Sequence, residues 1–228
     1  MGNGRPTRRD MHAELTRTAV LDAARTLFVA KGFEATSVDE IAQASHSSKG
    51  AVYHHFRDKQ AIFAEVFRAS QADVMQAVLP GALESMPGDA SPWEQALLAI
   101  SAVLRCYVHN HDARVLLRES ASALGWDRKQ TVDEELALPL LRGVLGELIE
   151  AGEIVAVPVG VTAELLYALL SKTGPIIAAA ADPAQAVSEI EPVLFALLNG
   201  LHREPTQPAR QTKRLGFARP QTAEEAAP

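Results

Sequence analysis

The stretch from Ser37 to Lys59, SVDEIAQASHSSKGAVYHHFRDK, constrains the fold more than any other part of the chain. Ser37 and Glu40 have the spacing of a capping box. The Ser oxygen takes a backbone N–H three residues on, and the Glu reaches back to the Ser N–H. A first short helix is expected from Val38 to Ala44, with Val38, Ile41 and Ala42 as its buried stripe. Ser45, His46 and Ser47 break that period and bring turn chemistry. Ser48 is placed to cap a second helix from Lys49 to Phe56, with Val52 and Phe56 facing inward. Two short helices across a turn of this length make a helix-turn-helix, whose second helix enters the major groove of DNA.

The polar residues of the second helix suit that task. Ser48 and Lys49 sit at a helix N-terminus, where free N–H groups favour phosphate. The hydroxyl of Tyr53 can reach a phosphate while its ring packs, and His54 and His55 add N–H donors. Asp58 caps the following helix and puts Lys59 in its first turn. A cation there opposes the helix dipole, which points to a phosphate partner for Lys59. Gly50 costs about 1 kcal/mol of helix propensity, so its presence implies close approach of another backbone or helix.

From Arg17 to Phe63 the chain resembles the TetR (tetracycline-repressor-like) family of transcriptional regulators. The resemblance rests on Val20-Leu21, Ala23-Ala24, Leu27-Phe28, Gly32-Phe33, Thr36-Ser37-Val38, Ile41-Ala42 and Ala44. It continues through Ser48-Lys49-Gly50, Tyr53-His54-His55-Phe56, Lys59 and Ile62-Phe63. It implies DNA contact by Thr36, Ser37, Ser48, Lys49, Gly50, Ala51, Tyr53, His54, His55 and Lys59. The turn departs from the family's usual Ala-Gly-Val: here it reads Ser45-His46-Ser47. His46 thus stands where a glycine commonly takes a left-handed conformation, at some energetic cost.

Charge is unevenly distributed. The net charge is −6, yet residues 1–60 hold 9 Lys/Arg against 7 Asp/Glu, and the remainder 13 against 21. DNA contact must therefore use a local basic patch, with the acidic bulk facing away. The single cysteine, Cys106, rules out an intrachain disulfide and fits a reducing cytoplasm. No signal peptide is visible. The most apolar run, Leu165 to Ala181, is interrupted by Lys172 and Pro175 and is too short to span a membrane.

The remaining pattern is helical throughout, giving an all-α chain: an N-terminal three-helix helix-turn-helix domain and a larger C-terminal helical domain for ligand binding and dimerisation. Residues 1–11, with Arg5, Arg8 and Arg9, read as a disordered basic arm. The helix-turn-helix domain occupies 12–58, the C-terminal domain 59–202, and a disordered tail 203–228. Helices are expected at 13–31, 59–79 (stopped by Pro80-Gly81), 92–110, 113–124, 128–151, 162–181 and 183–202. The last two carry more apolar surface than one small domain needs. A two-fold interface between subunits, through Leu169, Ile176, Ile190, Leu194, Leu197 and Leu201, would bury it.

No catalytic motif or cofactor loop is present, so no enzyme activity and no cofactor are expected. Cys106, His109 and His111 cluster, but three candidates without paired spacing do not make a zinc site. The resemblance implies a small-molecule cavity in the C-terminal domain, for which Met75, Tyr107, Glu119, Trp126 and Tyr167 are the candidate lining. It also implies a homodimer that represses transcription from a double-stranded DNA operator until an effector changes the separation of its recognition helices. A helical small-molecule carrier and an effector-independent DNA binder are the alternatives.

Overall fold

A computed structural model describes residues 8–84 and 88–203. Its helices are α1 (Arg8–Lys31), α2 (Val38–Ala44), α3 (Lys49–His55), α4 (Lys59–Glu84) and α5 (Pro92–His109). They continue as α6 (His111–Leu124), α7 (Trp126–Glu150), α8 (Val159–Ala179) and α9 (Pro183–Leu198). Among the described residues the sole extended pairing is an isolated antiparallel bridge between Ile154 and His202. The chain is all-α, with an N-terminal helix-turn-helix unit and a larger C-terminal helical part.

Several boundaries differ from the sequence expectation. α1 begins at Arg8, so Arg8 and Arg9 belong to a helix rather than to an arm, while Arg5 lies outside the described residues. α4 runs through Pro80-Gly81 to Glu84. A proline removes one N–H from the ladder without having to end a helix whose neighbouring turns are formed. Asn110 ends α5 and caps α6 in one stroke: its N–H donates to the Cys106 carbonyl and its side chain accepts from the Ala113 N–H. α6 therefore starts two residues early, at His111. α8 starts at Val159, and α9 stops at Leu198. The expected tail at 204–228 lies outside the described residues.

α1 packs on α2, α3, α4 and α6, so α4 is shared between the helix-turn-helix and the C-terminal helices. Arg17 bonds to Glu65 and Arg25 to Asp73, both 48 residues apart, so α1 and α4 run in the same direction. Between them sits a ladder of buried rings. Phe28 meets Phe63 at 5.1 Å, Phe33 meets Phe63 at 5.3 Å and Phe63 meets Phe67 at 6.5 Å. Such pairs add about 1 kcal/mol each beyond simple burial. The hydrophobic core continues from this ladder into α5 to α9 without a break. Gly174 lets α8 close onto α5 and α6, because a Cβ there would stand 2.7 Å from Leu117 Cδ2.

The turn after α2 takes the form that His46 called into question. His46 has φ +52°. Its N–H donates to the Gln43 carbonyl, and the Ser47 N–H donates to the Ala42 carbonyl. Together these are the two bonds of a Schellman motif, with His46 at the left-handed position. An L side chain there costs about 1–2 kcal/mol relative to a relaxed conformation. Replacing His46 by Gly is expected to raise stability by about 1 kcal/mol, read as a higher denaturant midpoint at unchanged slope. His46→Ala, which keeps a Cβ at positive φ, should leave the midpoint near wild type. Equal effects of the two substitutions would show that the backbone conformation is not the source.

Candidate nucleic-acid interface

The two short helices are held by local chemistry of the kind the sequence announces. Ser37 Oγ accepts from the Glu40 N–H, and the Ser37 N–H donates to the Glu40 carboxylate at 2.9 Å, completing the capping box. Lys31 also reaches Glu40. The bonds from Lys31, then those from Ser37, hold the Glu40 carboxyl down to about 2. Ser48 Oγ accepts from the Ala51 N–H at 3.1 Å and caps α3. Val52 and Phe56 turn into the core.

The surface this leaves is specific. Lys49, Gly50, Tyr53 and His54 are exposed on α3; Ala51 and His55 are half-buried. The rings of His54 and His55 meet edge to face at 5.3 Å. Tyr53 is 47% exposed. Among the described residues outside its own helix backbone, a Cβ on Gly50 would find only Ser48 Oγ, at 3.9 Å. Among the described residues no other helix supplies the close neighbour its sequence suggests. Lys49 extends across to α2, where Nζ lies 2.9 Å from the Asp39 carboxylate. The hydrogen bond and charge of Asp39 raise the Lys49 pKa.

Other members of the expected contact set are engaged within the chain. Thr36 is 1% exposed and its hydroxyl donates to the Gly32 carbonyl at 2.8 Å, so its side chain shapes the α1–α2 turn and does not reach the surface. Ser37 is exposed, with its N–H and hydroxyl both committed to Glu40. Lys59 does not face the dipole of its own helix unaided. Its ammonium donates to the Phe33 carbonyl at 2.7 Å and to the Glu34 carbonyl at 3.4 Å, and it lies 4.1 Å from the centre of the Phe33 ring. The physical reason for a cation at that position is thus partly the exposed end of the α1–α2 turn.

Two arginines were missed by sequence reasoning. Arg17 bonds to Glu65 and stacks over the Phe56 ring. Arg25 bonds to Asp73 and lies 3.9 Å from Asp112 of α6. A pairing across 48 or more residues leaves no periodic signal.

The described members of the expected effector lining include two that the structure ties to different neighbours, Tyr107 and Glu119. Tyr107 is buried, and its hydroxyl donates to Gln71 Oε1 at 2.6 Å. Met75 lies one turn beyond Gln71 on α4 and is half-buried, as is Tyr167 on α8. Glu119 sits elsewhere, at the junction of α6 with the α1–α2 turn, where Oε2 accepts from the Phe33 N–H at 3.1 Å. The side chain of Trp126 lies outside the described residues. A groove among the described residues, lined by Asp89, Ala90, Glu94, Leu97 and Leu98, contains none of the five. Gln71 had no sequence signal beyond being a polar residue on a buried stripe.

On α8 and α9 the structure divides the expected interface set. Ile176 and Leu197 are more than half exposed, whereas Leu194 is 2% exposed and lies in the core of its own subunit. Leu169, Ile190 and Leu201 pack partly against that core. The wide stripe on α9 serves two surfaces, and the one facing α5 and α8 takes Leu194. The exposed apolar face also includes Val161, Leu165 and Val193, absent from the sequence expectation.

Comparison with known proteins adds an independent observation. A family model described as bacterial regulatory proteins, tetR family, matches residues 20–66. A second, described as the tetracyclin repressor-like C-terminal domain, matches residues 93–201. The chain is 25% identical to the Tn10 transposon TetC protein of Escherichia coli over 66% of this chain and 74% of that protein. It is 39% identical to the helix-turn-helix regulator AcrR of Shigella flexneri over 30% of this chain, about a third (35%) of that protein's length. A tetR-family regulator from Pectobacterium atrosepticum superposes with a TM-score of 0.72, at 24% identity, over 88% of this chain and 100% of that one; this likeness concerns the fold.

The Lys49–Asp39 pair yields a test. Asp39→Ala removes a carboxylate from the exposed face and releases Lys49, so DNA affinity at low salt is expected to rise several-fold. Lys49→Ala should lower it and reduce the slope of log K against log salt by about 1. Unchanged affinity in both variants would take the pair out of the interface.

Proposed function

The chain belongs to the tetracycline-repressor-like family of bacterial transcriptional regulators, and on that premise we propose that it is a homodimeric repressor that binds a two-half-site DNA operator and leaves it when a small molecule binds. The observation that carries the DNA reading is the exposed α3 face, with Lys49, Tyr53 and His54 beside an open Gly50. Ser48, Ala51 and His55 border it, and Ser37, Thr36 and Lys59 complete the contact set from the turn and the neighbouring helix ends; Thr36 would take part through its backbone alone.

Dimerisation is supported by the apolar face of α8 and α9. Val161, Leu165 and Ile176 lie at helical spacing on α8, and Val193 and Leu197 one turn apart on α9. All are more than half exposed. Exposed apolar residues at this spacing, with the exposed Lys172 on the same stripe, suit a partner surface. A second copy gives it a self-complementary partner and places two recognition helices for half-sites about 34–36 Å apart.

The effector reading finds support in the core beside Tyr107. Gln71 Nε2 and the neighbouring Ser70 Oγ are buried with no hydrogen-bond partner. Such groups cost about 1–3 kcal/mol each, which a ligand acceptor would relieve. An effector acts only by binding one recognition-helix spacing better than the other. Among the described residues no helix is long and apolar enough to cross a membrane, in keeping with a protein that works on DNA.

The first experiment is selection of bound sequences from a pool of random duplex DNA, followed by footprinting of the enriched site in excess nonspecific DNA. A discrete two-fold footprint is expected. Enrichment of no sequence, with binding governed by salt alone, would overturn the regulator reading. A Val193→Glu, Leu197→Glu double variant should sediment as a monomer and bind the selected site at least about tenfold more weakly, through loss of the second attachment. A variant that stays dimeric would move the interface away from α9.

A further inference from the structure

Glu119 was expected in a ligand cavity, yet it bridges the C-terminal helices to the helix-turn-helix. α1 ends on Gly32, at φ +83°, whose N–H donates to the Phe28 carbonyl. That is the single bond of a left-handed helix cap, and it leaves the next donor, the Phe33 N–H, without an acceptor in its own helix. Glu119 of α6 supplies one at 3.1 Å. The fit is close: a Cβ on Gly32 would stand 3.3 Å from Glu119 Oε2. The opposite side of the same residue is held too, since the Phe33 carbonyl accepts from Lys59 of α4. Seven residues earlier on α6, Asp112 faces Arg25 of α1. α6 therefore holds α1 at Arg25 and the turn just after α1 at Phe33, from points two turns apart on α6.

The charge of Glu119 is informative. A carboxylate beside the C-terminal end of α1 faces the negative end of that helix dipole. Local stability alone would favour a neutral or basic group. The bond it makes across the junction is what the position gains. We propose that Glu119 is a positioning residue: its bond to the Phe33 N–H ties α6 to the α1–α2 turn and so sets the separation of the two recognition helices in the dimer. This rests on the reading of the chain as a dimer that binds two half-sites. α2 follows the turn by four residues and carries α3 through the Schellman turn, so a shift at Phe33 moves the recognition helix as a unit.

The test uses the full-length protein and the duplex selected above. Binding is measured to that duplex, to versions whose centre is lengthened or shortened by one or two base pairs, and to a single half-site. Wild type is expected to discriminate against the altered spacings by about tenfold, a usual size for coupling between two sites. Glu119→Ala should bind the single half-site as wild type does but lose most of the discrimination. Glu119→Gln retains an acceptor for the Phe33 N–H and should restore it. Glu119→Asp, too short by one methylene, gives the same reading as Ala should the latter fail to fold.

Retained discrimination in Glu119→Ala or, where that variant does not fold, in Glu119→Asp would overturn the proposal. So would an equal loss on every duplex, the half-site included, because that is a folding effect. Wild type without any spacing preference would overturn the dimeric reading as well, and so separates the two failures.

Discussion

The peptide of Phe33 is the point on which the two halves of this molecule depend. Its ring lies among Phe28 and Phe63, its carbonyl accepts from Lys59, and its N–H donates to Glu119. Three helices that are far apart in sequence, α1, α4 and α6, thus meet on one residue. Its polar groups are paired, which matters because a buried backbone group left unpaired costs more than a made bond returns. Gly32 makes the meeting possible. Its positive φ turns the chain, and its missing side chain leaves room for the Glu119 carboxylate.

The electrostatics of the helix-turn-helix follow a related logic. Each lysine and arginine between Arg17 and Lys59 has an acceptor within the chain: Glu65, Asp73, Glu40, Asp39, Asp58 and the Phe33 carbonyl. The surface offered to a polyanion is therefore compensated in the free protein. Exposed pairs of this sort contribute little to stability, so exchanging them for phosphate is cheap. Lys49 is the clearest case, because its partner Asp39 is as exposed as it is. Arg17 and Arg25 differ in that their carboxylates come from α4 and α6, which ties the basic groups of α1 to the C-terminal helices.

Local signals were legible where the chemistry is local. Ser37 and Ser48 cap their helices through bonds three residues on, and the capping-box spacing of Ser37 and Glu40 announces itself in the sequence. The same holds for Val52 and Phe56, whose spacing fixes one face of α3. Pro80 is a strong local breaker and signals an end to α4 that the helix does not take, because a proline removes only one N–H from the ladder. The acceptors of Lys59 lie 25 and 26 residues earlier, beyond the reach of any signal within its own helix.

The sequence by itself determined the helical class, the helix-turn-helix and the exposed face of its second helix, because those follow from periodicity and caps within a few residues. It also marked α8 and α9 as too apolar for one subunit's surface. Only the tertiary structure decided which side of each stripe is core. Leu194 went inward and Val193 outward because α5 and α8 occupy one flank of α9. It decided likewise that Glu119 belongs to the domain junction and Gln71 to the interior beside Tyr107. Partners separated by tens of residues are brought together by packing, and packing has no period in the chain.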